Sequence, residues 1–297
     1  MSVLKINKLT KKFGRITAVD QLDLTIEEGQ VYGILGPNGS GKTTTLGMIL
    51  EVVAPTSGSF EWFGGQNNVE ARKSIGSILE TPCFYSYLTA EQNLRIVAHI
   101  KGCSYDRIEP ILMQVNLFDR KDDKFKTFSL GMKQRLSLAA ALLSDPPVLM
   151  LDEPTNGLDP EGIAEVRELI KSIATQGKTI IMASHLLDEV QKFCTHFCIL
   201  RKGVKLHEGK VDDILGDTNV VDIASSDLDK LDESLPVFDG VERFERQNGS
   251  IRVFMKENRS SEELNAFCFQ QGISLKKLIP LSKSLEQEFL KILKEND

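Results

Sequence analysis

The sequence predicts an α/β fold, a largely parallel sheet flanked by helices, followed by a small α+β domain. Three observations predict it. First, a glycine-rich loop, Gly36-Pro37-Asn38-Gly39-Ser40-Gly41-Lys42-Thr43, stands between a short apolar run at 30–35 and a helix-like stretch at 44–54 that Pro55 stops. Second, residues 148–151 and 179–183 are continuous apolar runs, the pattern of strands buried on both faces of a parallel sheet. A helix-like segment at 161–176 separates them, which makes a βαβ unit. Third, the composition shifts near Leu215 and a different order of elements begins.

The remaining elements come in chain order. Residues 3–6 and 22–26 alternate apolar and polar, and 58–64 reads as a further antiparallel strand. Together they predict an antiparallel β subdomain ahead of a strand at 75–79. From Ala90 to about Leu143 apolar residues recur at helical spacing with few β-branched runs, so a helical insert is expected over about 84–145. Past Leu215 the pattern reads strand 220–224, helix 227–235, two strands around Asn248-Gly249, helix 260–271, strand 275–280 and helix 285–294. Asn-Gly is a strong hairpin signal. A βαββαβ order predicts a ferredoxin-like domain. The expected domains are therefore 1–215 and 218–297.

Composition bounds the function. The chain has 297 residues, 41% hydrophobic and 26% charged, as soluble globular proteins have. No apolar run approaches the ~20 residues needed to span a bilayer, and the N-terminus lacks the apolar stretch of a signal peptide. Five scattered cysteines fit a reduced, cytosolic protein. A net charge of −6 argues against a dedicated nucleic-acid surface, so no nucleic-acid partner is expected. Cys194, His196 and Cys198 have the residue types of a zinc site, but on an alternating apolar strand they do not form a closed one.

A strand, a glycine-rich turn and a helix N-terminus together make an anion site. Gly36, Gly39 and Gly41 let the backbone curl so that N–H groups converge on phosphate oxygens. Lys42 adds a point charge for the β- and γ-phosphates, and the Thr43 hydroxyl is a Mg²⁺ ligand type. The loop with Thr44 is the expected nucleotide-binding segment. At the end of the 148–151 run, Asp152 faces the same sheet edge and is suited to hold Mg²⁺ directly or through water. Glu153, one residue on, is placed to polarise an attacking water.

With these residues in place the chain resembles the nucleotide-binding subunits of ATP-binding-cassette (ABC) transporters over about residues 2–215. Ser129-Leu130-Gly131-Met132-Lys133-Gln134 resembles that family's signature sequence, just ahead of the Asp152 strand. Physically, Ser129 is an N-cap residue, and the helix start it caps presents backbone N–H groups to an anion. The resemblance implies that this anion is the γ-phosphate held by a second copy of the domain. Gly157-Leu158-Asp159 resembles the loop that crosses the dimer interface, and His185 the histidine that contacts the γ-phosphate. Phe13 lies where an aromatic stacks on adenine. Glu80 stands where the family usually has a glutamine that touches Mg²⁺ or water, and Leu130 where it more often has glycine. The Ile78-Leu79-Glu80-Thr81-Pro82 segment and Leu130 look most like the bacitracin-resistance and lantibiotic-immunity branch.

The resemblance implies a P-loop NTPase core and an ATPase that uses ATP and Mg²⁺. It also implies dimerisation with a second copy or a paralogous ATPase subunit, and separate transmembrane permease subunits. The expected location is cytoplasmic, peripheral on the inner face of the cell membrane through the permease, and the branch likeness favours export. The main alternative is a soluble cassette ATPase acting on ribosomes or DNA. Ribosome-acting relatives usually carry two cassettes in one chain, and DNA-repair relatives insert long coiled coils; neither feature occurs here. A GTPase would need Asn-Lys-x-Asp after the loop, and the Asn-Lys pair here is Asn7-Lys8, before it.

Overall fold

A computed structural model describes residues 1–65, 68–79, 83–215, 220–256, 259–281 and 285–295. The chain divides into two compact units, Met1–Val211 with Ile292–Asp297, and Asp212–Lys291.

The first unit opens with β1 (Ser2–Phe13), β2 (Ile16–Glu27), β3 (Val31–Leu35), α1 (Lys42–Ile49), β4 (Ser57–Trp62), α2 (Asn68–Lys73) and β5 (Ile75–Ile78). Three helices come next, α3 (Ala90–Lys101), α4 (Ile108–Gln114) and α5 (Leu130–Leu142), joined by short 3₁₀ turns. Then come β6 (Val148–Asp152), α6 (Pro160–Ala174), β7 (Thr179–Ser184), α7 (Leu187–Phe193), β8 (His196–Arg201) and β9 (Val204–Lys210), and the short α8 (Val211–Leu215) leads out of the unit.

These strands form two sheets, an antiparallel β2-β1-β4 sheet and a six-stranded β5-β6-β7-β3-β8-β9 sheet. The second is parallel except for the edge strand β9, which the hydropathy pattern had not marked. Every residue of β3, β6 and β7 is buried, which is why these strands read as unbroken apolar runs. One core joins the two sheets. Leu4, Ile6, Leu22, Ile26 and Trp62 from the antiparallel sheet cluster with Tyr32, Ile34, Met150 and Ile181 from the parallel one and with Leu46, Met48 and Ile49 of α1.

Two elements differ from the expected bounds. β1 runs to Phe13, well beyond the alternating residues, because register shifts after Ile6, Leu9 and Lys11 break the period-two pattern. α1 starts at Lys42 and ends at Ile49, short of the expected 54. Glu51 takes a positive φ of 60, and the N–H groups of Val52 and Val53 both return to the Gly47 carbonyl, at 2.9 and 3.0 Å. The indole N–H of Trp62 donates to the Ile49 carbonyl at 2.9 Å, satisfying an acceptor that the helix end leaves open.

The second unit contains β10 (Val220–Ser225), α9 (Leu228–Ser234), β11 (Val241–Gln247), β12 (Ser250–Met255), α10 (Ser261–Gln270) and β13 (Leu275–Leu281), and α11 (Leu285–Glu295) closes the chain's described part. Its four-stranded sheet has the order β11-β12-β10-β13, with every pairing antiparallel. Val221, Ile223, Ile251, Val253, Leu264 and Cys268 form its core. Asp222 is an alternate position on β10 and is buried too. Its carboxylate accepts from Lys277 Nζ at 2.5 Å and Ser250 Oγ at 3.2 Å. The Lys277 hydrogen bond holds the Asp222 carboxyl below its ordinary value of 3.8. This contribution to stability is therefore present above that value and lost as the pH falls through the lowered one. Asp222→Asn is expected to destabilise the second unit by about 1–3 kcal/mol at neutral pH, leaving Lys277 without its carboxylate. Urea unfolding at pH 7 and pH 3 checks this: the gap between wild type and variant is expected to shrink at the lower pH.

Candidate nucleotide site

The parallel strands β3, β6 and β7 end on one edge of the sheet, so three turns open side by side: the glycine loop after Leu35, Asp152–Glu153 after β6, and His185 after β7. This is where open α/β sheets place ligands. The loop is packed from behind by residues distant in sequence. A Cβ on Gly41, at φ +105, would come within 2.5 Å of the Ala18 carbonyl oxygen. One on Gly36 would lie 2.3 Å from the Leu200 carbonyl oxygen and 2.4 Å from Ser40 Oγ. The Gly203 N–H donates to the Ser40 carbonyl at 3.0 Å, and the Asp20 N–H to the Gly203 carbonyl at 2.8 Å. β2 and the β8–β9 turn thus hold the curl of the loop. Neither was visible as part of the site in the sequence, although Gly203 itself, at φ +83, marks the turn.

Lys42 is 5% exposed and its ammonium points back into the loop. It donates to the Gly36 carbonyl at 2.8 Å and to the Pro37 carbonyl at 3.3 Å, and lies 3.4 Å from Glu153 Oε1. Thr43 beside it is exposed and Thr44 half-buried. Glu153 takes a positive φ of 47, rare for a residue with a side chain and typical of functional turns. Its N–H donates to the Ala183 carbonyl of β7 at 3.0 Å, which fixes this conformation. The other carboxylate oxygen, Oε2, lies 2.8 Å from His185 Nδ1 and accepts the His185 backbone N–H at 3.4 Å. Lys42 and His185, widely separated in the sequence, therefore converge on the Glu153 carboxylate. Asp152, the last residue of β6, is 3% exposed.

A second polar patch gathers the start of α5 and the turn before α6. Ser129 caps α5, its Oγ accepting from the Met132 N–H at 3.2 Å. Gly131 has nothing closer than 4.0 Å to where a Cβ would stand, so the backbone at the helix start is open. Asp159 caps α6, its Oδ1 accepting from the Gly162 N–H at 3.0 Å. Ser129, Leu130, Gly131 and Met132 share a cavity of about 450 Å³ with Gly157, Leu158 and Asp159.

Phe13 ends β1 and is 51% exposed. The chain turns back there into β2, whose Ala18 touches Gly41, so the ring is tied to the glycine loop by the strand after it. Lys11 Nζ lies 4.8 Å from the ring centroid and donates to the Ala54 carbonyl at 2.6 Å. Glu80 lies outside the described residues. Cys194 sits at the C-terminal end of α7 rather than on β8 with His196 and Cys198, and its thiol packs against Gly33.

The family model described as ABC transporter matches residues 19–156. The chain is 39% identical to the bacitracin transport ATP-binding protein BcrA of Bacillus licheniformis, over 98% of this chain and 97% of that one. It is 40% identical to the lantibiotic transport ATP-binding protein SrtF of Streptococcus pyogenes, over 71% of this chain and 92% of the relative. Among solved structures, a dimeric post-hydrolysis ATP-binding cassette bound to ADP and Pi superposes with a TM-score of 0.63 at 28% identity, covering 70% of this chain and 98% of that one.

Proposed function

The chain belongs to the ATP-binding subunits of ABC transporters, and from that premise we propose that it closes on ATP with a second copy of itself or a paralogous ATPase subunit and drives separate transmembrane permease subunits in export. The observation that carries the reading is the placement of Glu153 between Lys42 and His185 at the sheet edge. ATP enters with its phosphates on the N–H groups of residues 36–44 and its adenine against Phe13. Lys42 then exchanges its contacts with the loop carbonyls for the β- and γ-phosphates, which leaves Glu153 to orient and polarise water. His185, held by Glu153 through Nδ1, contacts the γ-phosphate. The Ser129 cap, with Leu130, Gly131 and Met132, faces the γ-phosphate bound by the other subunit, and Gly157, Leu158 and Asp159 cross the interface.

Thr43 and Asp152 are an oxygen donor pair, an exposed hydroxyl at the start of α1 and a buried carboxylate at the end of β6. Such a set suits Mg²⁺, which takes one or two protein oxygens and completes its shell with water and phosphate. We assign these two residues, with Glu80, to Mg²⁺, which when bound neutralises the phosphate charge.

The ATPase domain is read as 1–215 with its helical insert at about 84–145, and 218–297 as an accessory domain. The strand order β11-β12-β10-β13 and the βαββαβ sequence of elements support a ferredoxin-like fold for it. Among the described residues no helix is long and apolar enough to cross a membrane. We read the chain as a cytoplasmic subunit held at the inner face by its permease, as the family membership suggests. The relatives named for bacitracin and lantibiotic transport support membership of the same kind of transporter.

Ser129→Arg tests the two-subunit site. ATP affinity measured in dilute monomer is expected to stay within about twofold, while ATP-dependent dimerisation and turnover are lost, since the cation and its bulk replace an anion-facing cap. A large loss of affinity in the monomer would place Ser129 on its own subunit's nucleotide and overturn the arrangement.

A further inference from the structure

Leu130 and Gly157 touch within one chain. A Cβ on Gly157 would lie 3.2 Å from Leu130 Cδ2, so the leucine side chain covers the Cα of the glycine. Gly157 is at φ +75, a conformation that itself disfavours a side chain. Leu130 is the first residue of α5, next to the Ser129 cap, and is 46% exposed. Gly157 stands midway along a turn that starts at Glu153, whose carbonyl accepts the Asn156 N–H at 3.1 Å, and ends at the Asp159 cap of α6. A turn further along the same helices, Arg135 Nε lies 3.6 Å from Glu165 Oε2. The start of α5 thus meets the Glu153–Asp159 turn through an apolar contact, and the helices α5 and α6 behind them are joined by an ion pair.

We propose that Leu130 is a positioning residue: its side chain holds the Gly157–Asp159 turn against the Ser129 cap, so both segments meet the second subunit as one preformed surface. The inference rests on the two-subunit reading above. A loose turn must be ordered when the dimer closes, and that ordering cost weakens closure. Leu130 removes part of the cost in advance. Its effect therefore falls on dimerisation and turnover, and leaves the affinity of a single subunit for ATP alone.

The test is a double-mutant cycle in the full chain with Leu130→Ala, Gly157→Ala and both together. Steady-state ATPase gives kcat and KM, and size-exclusion with ATP in a Glu153→Gln background gives the dimerisation constant. Monomer affinity is read with a fluorescent ATP analogue, and Leu130→Met serves as the conservative variant. Each single change is expected to lower kcat and weaken dimerisation with monomer affinity unchanged. Leu130→Met is expected to restore most of the leucine effect. The double variant is expected to be better than the product of the singles by about threefold or more, because the alanine at 157 no longer meets the leucine. Independent, multiplying effects would overturn the proposal while leaving the two-subunit reading intact, as would a Leu130→Ala protein with lowered Tm but normal kcat and dimerisation. Absence of ATP-dependent dimerisation in the Glu153→Gln background itself would overturn both.

Discussion

Replacing Lys42 by alanine is expected to abolish measurable ATP binding. Its ammonium is the buried cation of the glycine loop and reaches two loop carbonyls and Glu153. On binding, those contacts become charge-assisted bonds to phosphate, each worth about 1.5–3 kcal/mol, so losing two of them costs about a hundredfold or more in affinity. The substitution also leaves the Glu153 carboxylate, 20% exposed, facing incoming phosphate with no cation between them. The repulsion adds to the loss. Isothermal titration with ATP and Mg²⁺, on protein shown to be folded by circular dichroism, measures the effect. Affinity within a few-fold of wild type would show that the loop does not hold the triphosphate.

Glu153→Gln is expected to produce the opposite pattern, binding retained and turnover lost. The amide keeps the shape of the side chain and an oxygen for His185, 2.8 Å away, so the turn at φ 47 has no steric reason to change. It no longer carries the charge that draws a proton from water, and general-base catalysis of this kind is worth about 10²–10⁴ in rate. The ion pair with Lys42 at 3.4 Å also disappears, which frees the ammonium for phosphate and so favours the bound state. Single-turnover hydrolysis is expected to slow by about a hundredfold or more. ATP is expected to accumulate in a dimer that elutes early in size-exclusion. Hydrolysis at the wild-type rate would remove Glu153 from the chemistry.

The glycine-rich turn and its residue types were legible because they are local. Eight consecutive residues supply the curl, the N–H groups, the cation and the hydroxyl, and an apolar run before them and Pro55 after them locate the strand and bound the helix. Asp152 and Glu153 were legible for a related reason: four apolar residues in a row, 148–151, announce a central strand, and the C-terminal end of such a strand lies at the ligand edge. The Ser129 cap was equally local, a hydroxyl three residues before the N–H it binds. Boundaries were less legible where packing overrode local preference. Nothing in residues 50–54 announces that α1 stops at Ile49; the Trp62 indole and the left-handed Glu51 decide it.

Hydrophobic period, glycine conformation and helix capping act over a few neighbouring residues, so the α/β class of the first unit, the glycine-rich turn and the helix starts can be read from the chain alone. Only the tertiary structure decided which groups meet. Lys42 and His185 meet at the Glu153 carboxylate because β3, β7 and β6 lie side by side in parallel, a pairing no local pattern encodes. The curl of the loop is held by Ala18, Leu200 and Gly203, and the Leu130 side chain rests on Gly157. Contacts between segments far apart in the chain are fixed by how the two sheets and their helices pack, and packing at native density leaves one arrangement open to them.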